Sequence, residues 1–234
     1  MGRSKRVFLK LSGEALSGKC GFGFDEDIVK DVARQVAPSV SQGLELGIVI
    51  GGGNFWRGRS SNAIDRVKAD EIGMLATVMN CIYVSEIFRS EGMRTEIFTP
   101  FTCGAMSSLF TKDAANSAFA DGKVVFFAGG TGHSYFSTDT GIVLRAIQMD
   151  ADLILLAKHV DGVYDKDPFK YADAVKYDTV SIEEVIEKKL AVVDLTASVM
   201  CLENHMPMAV FGLDGKDSIK NALEGNITGT YVTV

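Results

Sequence analysis

From residue 26 to 41, Ile28, Val32, Val36 and Val40 recur every fourth position, which is the period of one helix face. Pro38 falls in the last turn of that helix, where its ring and missing N–H should kink the chain. Further helical patterns cover 70–92, starting near Asp70, then 111–122, 138–151 and Asp194 to His205, with a short helix near the end. Between them lie compact apolar runs: VFLKL (7–11), LGIVIGGG (46–53), RTEIF (94–98), KVVFFAGG (123–130), DLILLA (152–157), PMAVFGL (207–213) and TYVTV (230–234). Most of these runs show no polar alternation, as expected of strands covered on both faces. Strand and helix alternating in this way predict an α/β protein, a three-layer αβα sandwich around a largely parallel sheet. No repeat, low-complexity tract or linker interrupts the pattern, so 1–234 reads as one continuous fold, with 161–180 as a polar loop.

One long segment departs from the usual one-sided stripe. Met74, Leu75, Val78, Met79, Ile82, Tyr83, Ile87 and Phe88 wrap too much of their helix for a single buried face. An apolar girdle of this kind predicts deep burial or an oligomer contact.

Composition narrows the function classes. Lys and Arg number 24 against 30 Asp and Glu, a net charge of −6, the wrong sign for a protein that lives on nucleic-acid phosphates. The four cysteines, Cys20, Cys81, Cys103 and Cys201, have no C-x-x-C spacing, and only three histidines are present, so no zinc site is expected. A reducing, cytoplasmic setting fits this usage. No window approaches the run of about 20 apolar residues that a membrane span needs, and the basic start MGRSKRVFLKLSGEAL is too interrupted for a signal peptide.

Glycines supply the candidate chemistry. In doubly wound sheets ligands sit beyond the carboxyl ends of the strands. Three glycine turns follow strands here: KLSGEALSG (10–18), GGGNFWRG (51–58) and AGGTGHSYFSTD (128–139). One such turn is ordinary, but three predict an extended site lined by backbone N–H groups that approach a ligand closely. GEALSGKC (13–20) nearly spells a phosphate loop, yet Cys20 lacks the hydroxyl that binds magnesium and no helix follows at once. Lys10, between Leu9 and Leu11, points away from the face shared by Val7, Leu9 and Leu11. Its ammonium reads either as an edge lysine reaching water or as a phosphate ligand at the strand end. Arg57 offers a fork of donors suited to phosphate, or is a solvated loop residue. Asp70 and Thr138 read as helix caps, and Asp139 sits in a first helical turn where a carboxylate is favoured. Asp194 also reads as a cap. Asp161, Asp165 and Asp167 do not frame a calcium loop.

Taken in order, KLSGEAL, GFGFD (21–25), GGGNFWRG, GMLATVMN (73–80), AGGTGHSYFSTD, VDGVYDKDP (160–168) and VVDLTA (192–197) resemble the amino acid kinase family, and within it the bacterial uridylate kinases. The resemblance covers nearly the whole chain. It implies phosphoryl transfer from Mg-ATP to UMP, giving UDP, with an N-terminal acceptor-binding lobe and a C-terminal ATP-binding lobe. It implies that Lys10, Leu11, Ser12, Gly13, Gly53 and Arg57 hold the ATP phosphates, and that Lys158, Tyr164 and Asp167 surround its adenosine. Gly52, Asp70 and the run Thr131, Gly132, His133, Ser134, Tyr135, Phe136, Ser137 and Thr138 fall to UMP. Asp139 and Asp194 join Lys10 and Arg57 near the reacting phosphates, and magnesium travels with the nucleotide rather than in a protein metal site. Gly18, Lys19, Cys20, Gly21, Phe22 and Gly23 match the region tied to GTP regulation. A homohexamer inhibited by UTP is implied as well. His133 and Ser134 stand where the family commonly has Asn and Pro, and LLAKHVDG puts Lys158 and His159 at positions that usually contact the donor base. Two other readings stay open: a UTP-sensing regulator without turnover, and a kinase of carboxylates or carbamates.

Overall fold

The computed structural model describes residues 5–56, 63–213 and 216–234. Its elements begin β1 (Arg6–Leu11), α1 (Gly13–Leu16), α2 (Glu26–Ser41), β2 (Glu45–Ile50), α3 (Arg66–Ser90), β3 (Thr95–Thr99), β4 (Ser108–Leu109), α4 (Lys112–Ala120), β5 (Val124–Phe127), α5 (Thr138–Gln148) and β6 (Leu153–Lys158). There follow β7 (Val163–Tyr164), β8 (Lys176–Tyr177), β9 (Thr179–Ser181), α6 (Ile182–Glu187), α7 (Leu195–Glu203), β10 (Met208–Gly212), α8 (Ser218–Leu223) and β11 (Thr230–Thr233). Nine strands form one sheet in the order β4-β3-β5-β2-β1-β6-β10-β11-β9. Every neighbouring pair is parallel except β10 with β11.

Two apolar cores cover the two faces, as a three-layer αβα architecture requires. Val7, Leu9 and Leu11 of β1 join one core with α2, α3 and α8. Phe8 joins the other with α4, α5, α6 and α7. The alternation of β1 therefore turns Lys10 to the face of Phe8, toward α5. β1 is the middle strand of the sheet, so Lys10 is not an edge residue.

Helix starts differ from the sequence reading in instructive ways. α3 begins at Arg66, where Asp65 accepts from the N–H groups of Val67 and Lys68. Asp70 is thus a second-turn residue, and its carboxylate is free of capping. α5 is capped by Ser137 rather than Thr138, whereas Asp194 does cap α7 by accepting from Ala197 N at 2.9 Å. α2 runs on through Pro38 to Ser41. The stretch 161–180, read as a polar loop, carries the β7–β8 hairpin and β9. Strands of two or three residues are too short for periodicity to reveal. Thr230 Oγ1 fixes this hairpin, accepting from Val163 N and donating to the Tyr177 carbonyl.

Among the described residues α3 is long and apolar enough, by length and composition, to cross a membrane. A count of uninterrupted apolar residues passed over it. Nearly half of that stretch is buried in the protein as core. Its other side leaves Leu75 54 % and Met79 47 % exposed, with Ile72 and Ile82 beside them.

Candidate active site

Because β1, β2, β5 and β6 run parallel, their carboxyl ends open on one edge, and all three glycine turns gather there. The close approaches that forbid side chains come first from the protein itself. A Cβ at position 13 would lie 2.3 Å from the Gly51 carbonyl oxygen. One at position 52 would lie 3.0 Å from the Gly73 carbonyl and the Ala76 methyl, so this turn is seated directly on α3. Asn80 locks the seat, donating to Gly51 O at 2.7 Å and pairing amide to amide with Asn54. The expectation that a ligand alone excludes these side chains is therefore too narrow. Gly51 itself meets nothing nearer than 3.6 Å.

Beyond the end of β1 lies a charged cluster. The Lys10 ammonium is 2.5 Å from Asp139 Oδ1, with both side chains largely buried. The contact is ionic rather than a directed hydrogen bond, since Asp139 Oδ1 is buried without a hydrogen-bond donor of correct geometry. Lys158, at the end of β6, donates to the Val192 carbonyl. Burial pushes its pKa below the usual lysine value and the charge of Lys10 adds to this, while Asp139 and Asp194 oppose it. The same three charged residues therefore act on Lys158, which the sequence pattern sets beside the donor base.

Asp194 is heavily committed. Ser137 Oγ and Thr140 Oγ1 both donate to its carboxylate, as does Ala197 N. Ser137 Oγ in turn accepts from the N–H groups of Asp139 and Thr140. One carboxylate thus ties the amino end of α5 to that of α7, and the amino end of α5 carries Asp139 to Lys10.

On the other side of α5 lies a cleft of about 140 Å³. Of the residues assigned to the acceptor, Gly52, Asp70, Thr131, His133, Phe136, Ser137 and Thr138 line it. Gly132 and Ser134 face a neighbouring hollow with Leu75 and Phe101, and Tyr135 is exposed. The sequence reading missed Trp56, Ala69, Gly73, Met74, Thr77 and Gly130. The signal was present in part: 69, 70, 73, 74 and 77 follow the helical stripe that Asp70 defines. Trp56, the sole tryptophan, donates through Nε1 to Ala69 O at 2.7 Å.

The donor side is wider. Leu11 and Ser12 open on a groove of about 1310 Å³ shared with Gly18, Lys19, Cys20, His159, Leu213 and Ile219. Residues assigned to ATP phosphates and to GTP regulation therefore line one groove. Tyr164 donates to Asp161 at 2.7 Å, which holds the Asp161 carboxyl below its ordinary pKa. Asp167 accepts from Phe169 N at 3.0 Å, and the His159 ring stacks on Phe169. The loop of the β7–β8 hairpin is thus brought to the groove. Gly53 sits against Glu14, and Gly21, Phe22 and Gly23 follow the groove's Gly18–Cys20 turn. Arg57 lies outside the described residues. The thiols of Cys81 and Cys201 are buried, and burial pushes their pKa up, that of Cys201 to about 12.

Glycine turns, lysines and carboxylates thus meet at one edge of a central parallel sheet, and residues 5–212 match the amino acid kinase family. The chain belongs to that family. Its structure is similar to that of UMP kinase from Bacillus anthracis, with 32% identity, a TM-score of 0.94 and coverage of 98% of this chain and 96% of that one. UMP kinase from Ureaplasma parvum is 31% identical, with a TM-score of 0.93 over 99% and 100%. Uridylate kinase from Archaeoglobus fulgidus, at 24% identity and a TM-score of 0.72 over 97% and 99%, shares the fold.

Proposed function

We propose that this chain transfers the terminal phosphoryl group of Mg-ATP to UMP, forming UDP for pyrimidine nucleotide synthesis in the cytoplasm. One observation carries the reading. The first turn of α5 puts Thr138 in the small cleft and Asp139, the next residue, against Lys10. Acceptor cleft and cation cluster therefore meet at a single helix end. An acceptor that is already a phosphate anion needs no general base, so catalysis reduces to alignment and charge neutralisation. Lys10, Lys158 and Arg57 supply positive charge to the transferring group, and Asp139 holds Lys10 in place. Asp194 acts through the helix ends that it joins.

Magnesium enters this reading with the nucleotide. The buried Asp139 Oδ1, which lacks a directed hydrogen bond, is the protein oxygen that fits an outer partner for it. The ion would supply charge neutralisation at the donor's phosphates. Among the described residues no group of three His, Cys, Asp or Glu is arranged as a separate metal site.

In the same reading UTP inhibits by occupying the acceptor cleft, GTP acts through the 18–23 turn, and the exposed side of α3 seats a second copy within a hexamer. The likeness to the two UMP kinases supports the substrate pair. A coupled assay for ADP, run with and without UMP, tests the whole. ADP formation that depends on UMP is expected. UTP binding without turnover would leave a sensor, and turnover with a carboxylate or carbamate in place of UMP would reassign the acceptor.

A further inference from the structure

We propose that Gly129–Phe136 is a lid latched shut by Asp70, and that an entering acceptor exchanges the latch bonds for hydroxyls of its sugar. The inference rests on the reading of Asp70 as the ribose-binding carboxylate. Three contacts cross from the lid to the first two turns of α3. Tyr135 N donates to Asp70 Oδ2 at 2.8 Å, Ser134 Oγ to the Val67 carbonyl at 3.4 Å, and the Arg66 guanidinium lies over the Tyr135 ring, 5.2 Å from its centroid. Arg66 Nε also reaches both Asp70 oxygens at 2.9 Å. A carboxylate has about four acceptor positions; Tyr135 N takes one, and the single Nε–H of Arg66 lies between the two oxygens. Two sugar hydroxyls arriving at Asp70 compete with these donors for the same two oxygens.

Two independent features agree with a segment held in a minor conformation. Tyr135 has a φ of 72°, a left-handed backbone that a bulky residue adopts only when its surroundings enforce it. The cleft beneath the lid, about 140 Å³, is smaller than the roughly 300 Å³ at which small-molecule sites begin. Withdrawing the segment would widen the cleft for a nucleotide, and Gly130, at positive φ with open space beside it, supplies the freedom to swing.

Arg66 is then a gate residue that competes with the acceptor, and its removal should favour binding. In Arg66→Met, hydrogen–deuterium exchange of 129–136 without nucleotide should quicken about 3–10-fold, and the KM for UMP should fall by a similar factor. Exchange in 78–88 of α3 should stay at the wild-type rate, which shows that the fold is intact. Arg66→Lys keeps the charge but not the Nε–H that spans both Asp70 oxygens, so its effects should lie between those of wild type and Arg66→Met. Lid exchange unchanged in both variants overturns the latch. So does a KM that rises in Arg66→Met and is restored in Arg66→Lys, which would mark Arg66 as a charge on the acceptor phosphate. The exchange arm needs no turnover, so a protein inert toward UMP would refute the proposed function while the latch is still judged by exchange.

Discussion

The two hollows proposed here for acceptor and donor are built on opposite plans. The acceptor cleft holds about 140 Å³ and is stitched by Asp70, Asn80, Thr77 and Trp56 to neighbouring backbone. The groove proposed for the donor holds about 1310 Å³, and its lining comes from four separate stretches of the chain, 11–20, 25–35, 159 and 213–219. A tight, cross-linked site discriminates by shape and by the cost of unpaired polar groups. In the proposed function Lys10 and Lys158 act on the charge of the transferring group, with little shape selection. Donor-side changes should therefore appear in kcat and acceptor-side changes in KM.

Lys10→Ala is the strongest test of that division. Removing one preorganised charge at a transferring phosphate should lower kcat about 10²–10³-fold, with the KM for UMP nearly unchanged. Steady-state kinetics on a variant with wild-type thermal stability decide it, and activity within a few-fold of wild type would end the role.

The acceptor counterpart is Asp70→Asn. It should raise the KM for UMP roughly 10-fold and weaken UTP inhibition in parallel, since charge-assisted hydrogen bonds to two sugar hydroxyls are lost. dUMP should be used less well than UMP, and CMP hardly at all. Paired titrations of UMP and UTP would break the shared-cleft idea if only one of them moved.

Met79→Glu asks whether α3 serves assembly as well as the acceptor wall. A carboxylate on its exposed apolar side should split the oligomer with only a modest loss of monomer activity. Light scattering at micromolar concentration reads the result, and a wild-type monomer would remove the contact altogether.

The gentlest test is one of pH. Lys158 is charged only below a pKa that burial has pushed down from the lysine norm. Activity that needs its ammonium should thus fall as pH rises through that lowered value. Arginine keeps its charge there, so Lys158→Arg should carry the alkaline limb of kcat/KM to higher pH. Superimposable profiles would exclude Lys158 from the chemistry.

The same contrast explains what the sequence could disclose. Apolar runs and four-residue spacing were enough for the layered sheet, because burial on both faces writes itself into every strand. The acceptor site was largely legible since 131–138 is one contiguous run and Asp70 heads a helical stripe. Trp56 and Thr77 were missed because their roles depend on backbone partners 13 and 52 residues away. LLAKHVDG sets Lys158 beside the donor base, whereas its bond to the Val192 carbonyl and the charges of Lys10, Asp139 and Asp194 that act on it come from segments far away in the chain. Short strands β7, β8 and β9 carry no period and exist through Thr230 and the neighbouring β11.

Asp194 also sets an order of assembly. Ser137 and Thr140, which fix the amino end of α5, find their acceptor on a residue more than fifty positions later in the chain. While the protein is being synthesised, the acceptor wall can be folded in outline, but the cap of α5 has no carboxylate to lean on until Asp194 has emerged. Full seating of Asp139 against Lys10 should thereby come late in synthesis, after β6 has already joined β1 but before β10 and β11 are made. A nascent chain stopped at residue 190 should show α5 frayed at its amino end by pulsed hydrogen exchange, and a chain stopped after α7 should not.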